Sequence, residues 1–248
     1  MVGVAQLVEL LVVAQVVARS SRVTHPIRLC KGRGISASSF FLYTLTPDNI
    51  MPLLAPYRRK VPKEAINELP LRHYSGPIRL VNCSRSLEHA LSCIKGETLL
   101  GFDTETRPAF RKGEFYLPSL LQLAARGEVF LFHLKTIGFP DPVRDLLADT
   151  SVIKTGVAVR DDITGLQKLN PFQPGSFIDL GEVARQKNIP TRGLRTIAAN
   201  FLSFRLSKGA QRSNWGAPEL DAKQQTYAAT DAWVSRKIHL RFEELGML

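Results

Sequence analysis

Residues 99–106 read Leu-Leu-Gly-Phe-Asp-Thr-Glu-Thr, an apolar run that ends in two acids. The apolar half predicts a buried β-strand, and side chains two residues apart on a strand project from the same face. Asp103 and Glu105 are therefore expected side by side, where two carboxylates repel each other unless a cation lies between them. Carboxylate oxygens of this kind suit Mg²⁺ or Mn²⁺. The pair predicts a divalent metal site or, alternatively, a solvated strand end with two surface acids.

A second acidic cluster lies in a predicted helix over about residues 221–244. Tyr227 and Asp231 are four residues apart, so they lie one turn apart on one helix face. The alanines that flank them keep this face thin enough to approach a sheet closely. The alternative is a tyrosine that packs in the core and an aspartate that caps or pairs locally.

A third cluster, residues 156–162, reads Gly-Val-Ala-Val-Arg-Asp-Asp and predicts a strand that runs into a helix. An aspartate at such a junction often caps the helix. It can equally present a carboxylate to a site at the end of the sheet. Asp161 and Asp162 are both candidates for that second role.

Apolar runs from residue 78 onward predict the strands of one sheet. They lie near residues 78–81, 98–104, 119–125, 129–134, 152–157 and 177–180. The second, third and fourth runs suit successive antiparallel strands, and the later strands alternate with helices. This order predicts a single α/β domain with a mixed sheet of five or six strands and helices on both faces.

Six prolines between residues 47 and 77 exclude a continuous helix or strand there. We expect residues 51–77 to form a Pro-rich linker with one short helix near residues 63–68. The catalytic domain is then expected over residues 78–248.

Residues 1–50 do not resemble part of a fold. Polar residues interrupt the apolar run 1–18, so it suits neither a membrane span nor a secretory signal, and the Arg- and Ser-rich stretch 19–41 is typical of a mitochondrial transit peptide. Our hypothesis differs: segments such as Val-Ala-Gln-Leu-Val-Glu (residues 4–9) can be back-translated, in order and spacing, into the arms of a transfer-RNA gene. Residues 1–50 would then be a non-native leader and Met51 a natural alternative start. A targeting peptide and a structural extension stay open.

The net charge of +11 is uneven, because residues 1–60 carry +6 and residues 61–248 carry +5. The predicted domain is therefore mildly basic, which suits a polyanionic partner but does not require one. The three cysteines form no metal-binding or disulfide pattern. Such usage is typical of a reducing compartment, and we expect a cytoplasmic protein that does not bind membranes.

Taken in order, Asp-x-Glu, Gly-Val-x-x-x-x-Asp and Tyr-x-x-x-Asp resemble the motifs of the DEDD exonuclease superfamily, in its tyrosine subclass. The stretch Ser213–Trp215, with Leu220 and Gln225, is similar to the exonuclease domain of Werner helicase and, more loosely, to ribonuclease D. The resemblance covers about residues 78–245. It implies a ribonuclease-H-like fold and a metal-dependent 3′→5′ exonuclease.

Carried over residue by residue, the resemblance implies that Asp103, Glu105, Asp162 and Asp231 hold two divalent ions, Mg²⁺ or Mn²⁺. Tyr227 would orient the attacking water. We favour Asp162 over Asp161 because the count from Gly156 matches the family. Leu166 and Leu169 would then also fall on the buried side of the helix.

The implied partner is single-stranded or 3′-ended DNA or RNA. We expect Gln122 and Trp215 to line the substrate cleft, although Trp215 also suits the core. Basic residues that could contact phosphates are Lys154, Arg160, Lys208 and Arg212, with a solvated basic face as the alternative. Rival functions are an inactive nucleic-acid-binding module on the same fold and a ribonuclease that processes structured RNA 3′ ends.

Overall fold

The sheet of the computed structural model has six strands, within a description that covers residues 53–111 and 113–248. The strands are β1 (Ile78–Val81), β2 (Leu99–Thr106), β3 (Pro118–Ala124), β4 (Val129–His133), β5 (Ile153–Gly156) and β6 (Phe177–Asp179). Their spatial order is β1-β4-β3-β2-β5-β6. Strands β2, β3 and β4 pair antiparallel, whereas β1 with β4, β2 with β5 and β5 with β6 pair parallel. The predicted mixed α/β sheet is confirmed.

Helices cover both faces of this sheet. They are α1 (Lys63–Glu68), α2 (Ser84–Ile94), α3 (Leu134–Ile137), α4 (Asp141–Ala148), α5 (Val159–Leu169), α6 (Leu180–Gln186), α7 (Leu194–Leu202) and α8 (Ala222–Glu244), with a 3₁₀-helix at Ala55–Arg58. The leader predicted over residues 1–50 lies outside the described residues. Within these, no helix is both long and apolar enough to span a bilayer.

The alternation of side chains along β3 divides the core in two. Leu121 and Leu123 pack with Phe102 on the face covered by α2, α4 and α5. Leu120 and Ala124 point to the opposite face, where they pack against the alanine-rich side of α8. Because both faces are covered, every residue of β3 is buried.

Helix α8 lies unusually close to β2. A capping box starts the helix, in which the carboxylate of Asp221 accepts the backbone N–H of Gln224 at 2.8 Å. Further along, a Cβ atom added to Gly101 would lie 2.0 Å from the carbonyl oxygen of Ala232. The predicted close approach of an alanine-rich helix face to the sheet is therefore present, and glycine on β2 makes it possible.

The segment 53–77, predicted to be a linker, packs against the domain instead. Leu54 is fully buried against α7 and α8. The ring of Tyr57 stacks on Phe201 with centroids 4.3 Å apart, and the backbone N–H of Tyr74 donates to the hydroxyl of Thr230 at 2.9 Å. The prolines exclude regular structure but not burial, so this prediction is corrected for residues 53–77. The short helix predicted near residues 63–68 is α1.

Candidate metal-binding active site

The end of β2 presents the first two acids. Asp103 and Glu105 are half-buried and project from one face, whereas Thr104 between them is buried on the other. Asp103 lies opposite Gln122 of β3, and the pairing becomes irregular immediately after Glu105. The carboxylates therefore lie at the end of the regular pairing between β2 and β3.

Helix α8 brings the tyrosine and another acid to the same place. Asp231 is buried and directly precedes Ala232, the residue whose carbonyl approaches Gly101 of β2. One turn earlier lies Tyr227, and its interaction with Asp231 adds to the rise that burial causes in the pKa of the tyrosine hydroxyl. The close contact between helix and strand thus sets Asp231 beside Asp103.

The junction of β5 and α5 supplies the fourth acid. Ala158 adopts a left-handed conformation (φ 59°) that turns the chain into the helix. The Asp162 carboxylate then accepts a hydrogen bond from the hydroxyl of Thr104, whereas Asp161 is exposed. The structure brings Asp162 into the cluster. Leu166 is buried as expected, but Leu169 is 37% exposed, so that part of the prediction is wrong.

Burial and mutual repulsion raise the pKa values of these carboxylates. Desolvation, followed by the charges of Asp231 and Asp162, raises the pKa of Asp103 well above its usual range. Desolvation and the neighbouring acids raise the pKa of Glu105 to about 10. Burial likewise raises the pKa of Asp162 to about 6 and that of Asp231 to about 7. The charged forms of these four acids are therefore disfavoured, and a cation bound between them would stabilise those forms.

The chemistry of the donors suits a divalent metal ion. Carboxylate oxygens are the ligands that Mg²⁺ and Mn²⁺ prefer. The amide of Gln122, on the strand position opposite Asp103, is buried and has no hydrogen-bond partner among the described residues. As they stand, no three acidic, histidine or cysteine side chains of the described residues are close enough to hold an ion. Binding therefore requires the carboxylates to turn towards one another.

Three of the predicted nucleic-acid contacts are wrong. Gln122 and Trp215 are fully buried, so neither can touch a substrate strand. Lys154 is also buried, and its ammonium group donates to the carbonyls of Asp149 at 2.6 Å and Val152 at 2.8 Å. Lys154 therefore secures the chain that leads from α4 into β5.

The remaining basic candidates, Arg160, Lys208 and Arg212, are exposed. They remain candidates for phosphate contacts. A cleft of about 670 Å³ opens beside the segment that carries the last two. Tyr227 and Asp231 belong to its lining, together with the basic residues Arg72 and Lys223.

Two residues of the site escaped the sequence analysis. Thr104 was passed over because it stands between two acids, yet a polar residue on the buried face of a strand needs a partner. The Arg195 guanidinium lowers the pKa of Asp231 and donates to the Leu206 carbonyl at 2.7 Å, while its Nη1 atom is buried with no partner in the described part of the chain. Arg195 lies in the first turn of α7, where the helix dipole disfavours a cation. A basic residue at that position was the sequence feature that could have indicated a role in the site.

Comparison with known proteins relates this chain to a protein family. Residues 78–246 match the model of a family described as 3′-5′ exonuclease. The mouse bifunctional 3′-5′ exonuclease/ATP-dependent helicase WRN is 28% identical over 190 residues, which cover 73% of this chain and 14% of that protein.

Solved structures support the fold. The exonuclease domain of Aedes aegypti Nibbler superposes with a TM-score of 0.63 at 22% identity, covering 71% of this chain and 92% of that domain. Trypanosoma brucei RNase D, in complex with RNA U12, gives a TM-score of 0.59 at 23% identity, covering 69% and 63% of the two chains. The chain spans only 14% to 24% of the length of the first curated relatives it matches. The ribonuclease-H-like fold implied by the sequence motifs is confirmed.

Proposed function

Because the chain belongs to the 3′-5′ exonuclease family, we propose that it is a metal-dependent enzyme that removes nucleoside 5′-monophosphates from the 3′ end of a nucleic-acid strand. The observation that carries this proposal is the convergence of four carboxylates and Tyr227 at one edge of the sheet. All four of the carboxylates have raised pKa values. A surface cluster without function would show neither this burial nor this mutual repulsion.

Each residue has a distinct task in the proposed reaction. Asp103, Glu105, Asp162 and Asp231 would hold two divalent ions, which would supply Lewis acidity and balance the charge of the scissile phosphate. Tyr227 would orient the attacking water through its hydroxyl, which is protonated at neutral pH like that of any tyrosine and whose pKa burial raises further. Water would add to phosphorus and give up a proton, the bond to the 3′ oxygen would break, and that oxygen would take up a proton as the shortened strand departs.

Basic residues around the site indicate the kind of substrate it would bind. The cleft beside Tyr227 and Asp231 includes Arg72 and Lys223 in its lining, and the exposed Lys208 and Arg212 lie on the adjoining segment. These cations suit the phosphates of a strand whose 3′ end enters the site. We propose DNA or RNA as the substrate, since the carboxylate chemistry does not need the 2′ hydroxyl. The RNA bound in the T. brucei RNase D structure favours including RNA.

The test is digestion of matched 5′-labelled DNA and RNA single strands with Mg²⁺, with Mn²⁺ and with EDTA. The wild-type protein should shorten the strand one nucleotide at a time from its 3′ end only when metal is present. Asp103→Asn should be inactive, and Asp161→Asn, an exposed neighbour of the site, serves as the matched control. A wild-type protein that binds strands but never cuts them would instead be an inactive nucleic-acid-binding module. Cutting of RNA alone would identify an RNA-processing enzyme.

A further inference from the structure

The loop between β2 and β3 carries the two most exposed aromatic side chains among the described residues. Phe110 is 69% exposed and Phe115 is 65% exposed. The loop leaves β2 two residues after Glu105, so it starts at the candidate active site. An exposed phenylalanine alone is unremarkable, but two in one short loop beside a site indicate a surface that binds something.

Each of these rings is paired with a cation from a different element. The Arg212 guanidinium lies 5.8 Å from the ring centroid of Phe110, and the Lys168 ammonium lies 4.3 Å from that of Phe115. Lys168 belongs to α5, the helix that carries Asp162, whereas Arg212 precedes α8. The rings therefore lie between two elements that both contribute to the site.

The loop is also held in shape. The Glu114 carboxylate accepts the backbone N–H groups of Phe110 at 3.2 Å and Arg111 at 3.4 Å. At the end of the loop Pro118 fits against Gly165 of α5, where an added Cβ would lie 2.9 Å away. These contacts restrain the loop at Phe110 and at its junction with β3.

We propose that Phe110 and Phe115 form a stacking platform for unpaired bases of the substrate strand, with Arg212 and Lys168 beside the adjoining phosphates. The proposal rests on the proposed exonuclease function and specifies how its substrate is held. Aromatic rings interleaved with cations are the usual surface for single-stranded nucleic acid, because every base offers a π-face and every link a phosphate. The positive charge around the rings disfavours a second copy of this chain as the occupant.

Binding of a fluorescein-labelled single strand in EDTA measures the platform without cleavage. Phe110→Ala and Phe115→Ala should each raise the Kd roughly five- to 150-fold, the equivalent of ~1–3 kcal/mol per stacked base. Phe115→Tyr, which keeps the ring, should bind like the wild type. Leu240→Ala removes an exposed apolar side chain nine residues beyond Asp231 on α8 and serves as the matched control.

A strand with abasic residues behind its 3′-terminal nucleotides tests the chemistry of the contact. It should bind the wild type weakly, and the alanine variants should lose nothing further. If the variants weaken natural and abasic strands equally, or weaken neither, the stacking proposal is overturned. A change from dimer to monomer in the variants would also overturn it, because the rings would then serve a second copy.

Hydrolysis of the p-nitrophenyl ester of thymidine 5′-monophosphate separates this proposal from the proposed function. The ester has no strand to hold, so the alanine variants should cleave it at the wild-type rate. If they cleave it slowly, the loop acts through the catalytic centre and the platform is refuted. A wild-type protein that cleaves neither ester nor strand contradicts the exonuclease proposal, while the binding comparison still decides the platform.

Discussion

The hydroxyl of Thr104 donates a hydrogen bond to the carboxylate of Asp162 and so links β2 to the helix that follows β5. Burial raises the pKa of Asp162 to about 6, and this hydrogen bond opposes the rise. We therefore expect Thr104 to be a positioning residue that fixes one carboxylate oxygen of Asp162 and would leave the other for a metal ion.

Replacing Thr104 by valine should weaken metal binding. The change keeps the shape of the side chain but removes a hydrogen bond to a charged group, which contributes about 1.5–3 kcal/mol. We expect the Mn²⁺ concentration for half-maximal cleavage to rise roughly tenfold or more, as 1.4 kcal/mol corresponds to a factor of ten. Thr106→Val on the same strand is the matched control. An unchanged metal titration for Thr104→Val would refute the positioning role.

Asp162→Asn should abolish metal-dependent cleavage, whereas Asp161→Asn should keep most of it. The two residues are adjacent, but only Asp162 reaches Thr104, and Asp161 is exposed to solvent. Initial rates at saturating Mn²⁺ measure the difference. Loss of activity in Asp161→Asn with survival of Asp162→Asn would place the second motif one residue earlier.

Tyr227→Phe should slow cleavage without destabilising the protein. It removes the hydroxyl but keeps the ring, which packs 5.9 Å from that of Trp215. Loss of one oriented donor at a reacting centre typically costs ~2.7–4 kcal/mol, or roughly 10²–10³ in rate. Asp231→Asn should differ, because losing a ligand charge weakens metal binding as well. A Tyr227→Phe protein that melts normally and cuts at wild-type speed would show a purely structural tyrosine.

Without metal, the protein should become less stable as the pH rises from roughly 6.5 to 8. The pKa of Asp231 is raised to about 7 and that of Glu105 to about 10. The folded state therefore keeps protons that the unfolded chain has already released, and this stabilisation is lost as the pH rises through the folded values. Burial lowers the pKa of His239 to about 4, so the effect of this histidine on stability falls mainly below this pH range.

Thermal melts at both pH values, with and without Mn²⁺, measure this effect. Mn²⁺ should raise the melting temperature more at the higher pH, where the acids would otherwise be charged and unpaired. Asp231→Asn should reduce the pH dependence of the metal-free protein, while Glu105 keeps the rest of it. A wild-type melting temperature that rises over this range would contradict the assigned pKa shifts.

A chain that begins at Met51 should be as stable and as active as the full-length chain, because it keeps Leu54 and Tyr57. A chain that begins at Ile78 should lose roughly 2–4.5 kcal/mol of unfolding free energy, since burying one leucine contributes about 1.5–3 kcal/mol and an aromatic pair about 0.5–1.5 kcal/mol. Urea denaturation gives both values. A shorter chain as stable as the longer one would show that residues 53–77 are dispensable. An intact Met1 terminus on the native protein would defeat the hypothesis of a translated tRNA gene.

Local periodicity predicted which of the candidate residues share a face, and the family resemblance was needed to join them into one candidate site. The two-residue spacing of Asp103 and Glu105 and the four-residue spacing of Tyr227 and Asp231 fix a shared face as soon as strand and helix form. The two-sided burial of the sheet was predictable from its unbroken apolar strands.

Burial at single positions was not predictable in the same way. Lys154 and Gln122 are polar residues that the tertiary fold buries. Lys154 is buried because backbone carbonyls accept hydrogen bonds from its ammonium group. Gln122 is buried because α8 lies over β3. Prolines in the segment 53–77 correctly excluded regular structure, but burial of Leu54 depends on residues more than a hundred positions away. Phe110 and Phe115 gave no periodic signal, because loops have none.

The approach of Ala232 to Gly101 also has a dynamic consequence. That close contact leaves little room between α8 and β2 at this point of their interface. We therefore expect the backbones of strand and helix to move together at this contact, which keeps Asp103 and Asp231 close to each other. In the proposed reaction the strand would have to advance by one nucleotide after each cut. We expect the motion that accompanies this step to be confined to the irregular segments beside the site, which slower amide exchange in β2 and α8 than in residues 107–117 would reveal.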